Sequence, residues 1–127
     1  MGNWLAVSGV SGFLAVALGA FGAHGLQARL ADAADAAKRL SWWQTAAHYH
    51  LIHALGLAVV ALVCARVPQA RYAGFGFVVG TLLFSGSLYA MALGAPRWLG
   101  AVTPLGGAAY LVGWGVLVYS GLLLRRG

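Results

Sequence analysis

The chain has 127 residues, 61% of them hydrophobic and only 8% charged, with eight Lys and Arg against two Asp and Glu for a net charge of +6. A soluble domain carries about 25% charged residues, so this composition leaves no room for a separate soluble catalytic module. The basic residues stand singly or in pairs beside apolar stretches, which suits anionic lipid headgroups and not a nucleic acid, and the single cysteine, Cys64, rules out an intrachain disulfide or a thiolate metal site.

Four uncharged runs, residues 1–28, 40–65, 72–96 and 98–124, cover the chain almost end to end. About 20 apolar helical residues cross a hydrocarbon core roughly 30 Å thick, and each run meets that length. The expected fold is therefore all-α: a single integral membrane domain, residues 1–127, built as a four-helix bundle. Helix one is predicted over residues 4–23, opening on the interfacial aromatic Trp4 and leaving through Gly22, His24 and Gly25. No Lys or Arg precedes its apolar stretch, so it reads as a retained span and not as a secretory signal. Along it Ser8, Gly12, Ala15, Gly19 and Gly22 recur at spacings of four and three, a small-residue face against which another backbone can lie.

The segment Gly25–Ser41 is the only sizeable connection. Leu26, Leu30, Ala33, Ala37 and Leu40 follow helical spacing while Arg29, Asp32, Asp35, Lys38 and Arg39 take the other faces. That pattern predicts a short amphipathic helix in the headgroup layer, with Asp35 and Arg39 paired four residues apart. Helix two follows Trp42 and Trp43 over residues 43–65, with Ala47, Ala54, Ala58, Ala61 and Ala65 as its small face. A turn at Pro68 leads to helix three, residues 72–94, with Gly76 and Gly80; a turn at Pro96 and Arg97 leads to helix four, residues 103–124, with Gly106, Ala109, Gly113 and Ser120 on one side. Lys and Arg number four on each side of the membrane, and the Arg125-Arg126 pair against the last span favours cytoplasmic termini. The stretch 11–20 is echoed at 85–95, as either a parallel repeat of helix pairs or chance matching in a sequence rich in Ala, Gly and Leu would give.

Folding the helices up and down brings the polar residues to one half of the membrane. His24 lies near the interface, whereas His53 lies about 16 Å below Trp42, close to the depth of Ser85. The candidate cluster is His24, His53, Ser85, Ser87, Tyr89 and Thr103, with Gly12, Gly19, Gly22, Gly106 and Gly113 as packing positions. An ionisable residue at midplane is by default a functional candidate, but neutral His both donates and accepts. The expectation is that His53 bonds Ser85 or Ser87 across helices. His50 and His53 share a helical face, yet three converging imidazoles are wanting, so no metal and no cofactor are expected. Ser and His occur without a buried acid or an oxyanion motif, so no enzyme activity is expected.

The motifs Gly19-Ala20-Phe21-Gly22-Ala23-His24-Gly25, Trp43-Gln44-Thr45-Ala46 with Tyr49 and His53-Ala54-Leu55, Leu83 to Tyr89, Thr103-Pro104-Leu105-Gly106-Gly107 and Gly113-Trp114 stand in order along the chain. In these the chain resembles the domain-of-unknown-function family numbered 423, itself similar to the eukaryotic transmembrane protein 256. The family pattern takes in His24 and His53 and leaves out His48 and His50. The resemblance implies four spans in the bacterial cytoplasmic (inner) membrane and brings no activity with it. The reading is a structural or accessory membrane protein whose partners are the lipid bilayer and either a further copy of itself or another membrane protein. The alternative is a small-solute, ion or proton transporter or channel component acting as an oligomer.

Overall fold

A computed structural model describes residues 2–127. Four of its helices are long and apolar enough to cross a membrane: α1 (Asn3–Arg29), α2 (Ala36–Val63), α3 (Pro68–Ala92) and α4 (Arg97–Arg126). They are unequal partners. In their most apolar stretches 44% of α2 and 39% of α3 is buried, against 11% of α1 and 17% of α4. The inner pair is therefore α2 and α3, with α1 laid along α2 and α4 along α3. Phe13, Leu55, Leu62, Leu82 and Leu111 point outward. In lipid such residues need no cover, because every helix satisfies its own backbone.

Small residues set how closely the helices approach. Ser8 and Ala15 of α1 are buried, and the Ser8 hydroxyl donates to the Ala54 carbonyl of α2 at 2.7 Å. Between α3 and α4 the contact is backbone to backbone: a Cβ on Gly76 would lie 2.9 Å from the Ala109 carbonyl oxygen and 3.1 Å from the Gly113 Cα. Gly106 faces the Phe84 backbone, where a Cβ would come 2.7 Å from its Cα, and Gly22 makes room for the Trp43 indole, 2.6 Å from its Nε1 by the same construction. Gly12 is in ordinary contact, 3.9 Å from the Ala54 Cβ. Gly19 differs from the expectation that it is a close-packing position, since a Cβ there meets nothing within 4 Å.

The connection between α1 and α2 also departs from the sequence reading. No separate interfacial helix forms over Gly25–Ser41. Instead α1 widens into one π-helical turn, Gly22–Leu26, and closes with Gln27–Arg29, while α2 already starts at Ala36. The helical spacing of Leu26 and Leu30 has a different cause: both are buried in a cluster with Trp43 and Ala92 that seals this end of the bundle. Asp35 and Arg39 do pair, at 3.8 Å. Arg39 also donates from Nε to the Ala92 carbonyl at 2.8 Å, occupying an acceptor at the end of α3. Gly94, at φ 105°, then turns the chain out of α3. A second π-helical turn, Thr81–Ser85, interrupts α3.

Candidate functional site

The polar residues lie in the half of the membrane where α1 and α3 end and α2 and α4 begin. His53 is 3% exposed. Its Nδ1 lies 2.7 Å from the Tyr49 carbonyl oxygen, one turn back on α2, and its Nε2 lies 3.0 Å from the indole Nε1 of Trp114 on α4. An indole N–H only donates and a carbonyl only accepts. The two partners together therefore fix the ring: Nε2 carries the lone pair, Nδ1 carries the hydrogen, and the imidazole is neutral. A proton added at Nε2 would set two donors against each other. The ring is stacked on Tyr110, with centroids 3.5 Å apart and planes 9° apart, and meets Phe77 edge-on.

Contrary to the sequence expectation, His53 bonds neither Ser85 nor Ser87. Ser85 is fully buried and donates to the Ala46 carbonyl at 2.8 Å, tying α3 to α2. The Ser87 hydroxyl lies 2.6 Å from that of Thr103, tying α3 to α4, and also reaches the Phe84 carbonyl at 3.0 Å. Tyr89 is directed to the other side, where its hydroxyl lies 3.1 Å from His50 Nδ1. Tyr110 donates to the Thr81 hydroxyl at 3.1 Å, within the second π-helical turn. His24 is exposed on the π-helical turn of α1 and joins none of these contacts. Without His24, the cluster is a set of separate ties, each joining two helices.

Three participants escaped the sequence reading: Trp114, Tyr110 and Trp43. Trp114 carried a usable signal. It stands about 16 Å along α4 from Thr103, whereas membrane tryptophans concentrate at the interfaces, and a buried indole N–H wants an acceptor. Trp43 is buried and donates to the Leu18 carbonyl of α1 at 2.7 Å; its neighbour Trp42 instead meets Lys38 and Arg97, both 5.6 Å from its ring. Among the described residues no three His, Cys, Asp or Glu side chains converge as a metal site would require.

The family described as "Protein of unknown function (DUF423)" matches residues 18–107, which takes in the Arg39–Ala92, His50–Tyr89 and Ser85–Ala46 ties of α2 and α3. The chain belongs to this family. It is 43% identical over 119 residues to a UPF0382 membrane protein of Haemophilus influenzae, covering 93% of this chain and 92% of that one. Identity is 39% over 120 residues to the UPF0382 membrane protein YwdK of Bacillus subtilis, covering 92% and 94%. It is 36% over 124 residues to the UPF0382 inner membrane protein YgdD of Escherichia coli K12, covering 96% and 91%. No solved structure matches the chain. The protein is an integral membrane protein of a family whose function is unknown, in keeping with the resemblance drawn from its motifs.

Proposed function

We propose that this is a structural or accessory protein of the bacterial cytoplasmic membrane, without enzyme activity, whose polar half locks four helices in register. The observation that carries this reading is the double occupancy of His53. A midplane histidine on a proton path needs a free nitrogen and access to water. Here Tyr49 and Trp114 take both nitrogens, and Tyr110 and Phe77 cover the ring. The hydroxyls of Ser85, Ser87 and Thr103 are spent in the same way on other helices. Each such tie typically contributes about 0.6 kcal/mol in a membrane, so together they favour one register without supplying the fold. The inner-membrane naming of the Escherichia coli relative supports the location.

The test is proton permeability. Vesicles holding the full chain and a pH-sensitive dye, compared with vesicles holding His53→Gln, are expected to show no leak in either case. A leak present in the wild type and abolished in a stably folded His53→Gln would overturn the structural reading in favour of transport.

A further inference from the structure

On the side of the inner pair away from His53, α1 and α3 stand apart over a cleft of about 400 Å³, which His50 and Tyr89, tied to each other, both line. Ligand sites begin at roughly 300 Å³. Val10, Leu14 and Leu18 of α1 form one wall, Leu82 and Gly86 of α3 form the other, and His50 of α2 lies in the floor. Val10, Leu14 and Leu82 are exposed, so the cleft opens to the hydrocarbon of the bilayer.

His50 itself is only 5% exposed, and its Nδ1 is engaged by Tyr89. Among the described residues no fully buried side-chain nitrogen or oxygen lacks a partner. Nε2 of His50 has no hydrogen-bond partner among the described residues, and His50 lines the cleft together with Tyr89. A hydrogen count shows what the pair offers. The neutral imidazole and the phenol hold two N–H and O–H hydrogens between them, and their mutual bond uses one. If Tyr89 donates, the spare hydrogen is on His50 Nε2; if His50 donates from Nδ1, it is on the Tyr89 hydroxyl, and in an apolar setting an unmatched donor is costly either way.

We infer that this cleft binds a lipid-soluble molecule carrying a carbonyl oxygen on an apolar body, and that a prenylated quinone is the class that fits. A bare hydrocarbon chain would fill the walls and leave the hydrogen unmatched. Phospholipids carry carbonyls as esters, but at the edge of a hydrocarbon core roughly 30 Å thick. His50 lies about 12 Å deeper than Trp42 along α2, near the midplane, where a quinone ring can lie and an ester cannot without dragging its headgroup inward.

The experiment titrates vesicles of phosphatidylethanolamine and phosphatidylglycerol containing the full chain with a short-chain prenylated benzoquinone, reading quenching of tryptophan fluorescence. Trp43 packs against Tyr89 with ring centroids 4.6 Å apart and reports on the site. The wild type is expected to saturate, and squalene, which has the apolar body without a carbonyl, is expected not to displace the quinone. His50→Leu combined with Tyr89→Phe, which removes both hydrogens, should weaken binding about tenfold, the scale of one hydrogen bond made away from water. Tyr89→Phe should bind nearly as the wild type, because His50 keeps its N–H. Gly86→Leu should abolish binding while remaining folded, since the nearest atom to a Cβ there is the Thr81 carbonyl oxygen at 3.9 Å. Quenching that never saturates in the wild type, equal saturation in all variants, or displacement by squalene would overturn the inference. Cross-linking that finds a second copy covering the cleft would do the same. The squalene competition uses the wild type alone, so the inference stays testable if a variant fails to fold.

Discussion

Adding one methyl group at Gly106 should damage this protein more than adding it at any open glycine. Gly106 sits in the first turns of α4 against the backbone of Phe84, and a Cβ there would come 2.7 Å from both the Cα and the Cβ of that residue. Backbone cannot rotate aside, so α3 and α4 must separate. Overpacking of this kind costs about 1–3 kcal/mol, and contact with backbone places Gly106→Ala near the upper end. The gain in helix propensity from Gly to Ala is at most about 1 kcal/mol, which leaves a net loss of roughly 2 kcal/mol. Gly19→Ala meets nothing within 4 Å, so it should be neutral or stabilising by up to about 1 kcal/mol. The two variants differ by the same methyl group and should be separated by roughly 2–3 kcal/mol. Thermal unfolding of both in one detergent measures this. Equal stabilities, or a larger loss at Gly19, would refute the helix-packing argument.

Other ties give smaller effects. Trp114→Phe keeps an aromatic ring beside His53 and removes its donor, and should cost about 1 kcal/mol, within the range of interhelical hydrogen bonds in membranes; chemical denaturation in mixed micelles checks it. Arg39→Met removes the bond to the Ala92 carbonyl and should cost about 1.5 kcal/mol. Asp35→Asn should change stability by less than about 0.5 kcal/mol in the same assay, since its partners Arg39 and Arg97 lie at 3.8 and 3.4 Å with Asp35 itself 40% exposed. Reporter fusions at Gly127 and within 30–35 should place the C-terminus in the cytoplasm and the connection outside; both on one face would contradict four spans, and an exchange would reverse only the orientation.

Length and uniform hydropathy made the four spans legible, because a bilayer demands both. The same uniformity hid the rotation of each helix about its axis, since apolar side chains face lipid and protein alike. That is why Gly19 and Gly22 look equivalent in the sequence although only Gly22 meets a neighbour, and why the depth of His53 points to serines and not to Trp114. His50 and His53 share a helical face by spacing, yet one meets Tyr89 beside the α1–α3 cleft and the other meets Trp114 and Tyr110 against α4. The helical periodicity of Leu26 and Leu30 records burial against Trp43, not contact with headgroups. The π-helical turns left no mark that hydropathy could show, since they insert into helices without changing composition.

Two fixed partners hold His53 neutral, and nitrogen-resolved NMR of the histidine-labelled protein in bilayers reads that state directly. At neutral pH His53 should show hydrogen on Nδ1 and an unprotonated, hydrogen-bond-accepting Nε2, and the Nε2 signal should lose its hydrogen-bond shift in Trp114→Phe while Nδ1 stays protonated. A ring protonated on both nitrogens, or one carrying its hydrogen on Nε2, would contradict the locked cluster and the structural role built on it.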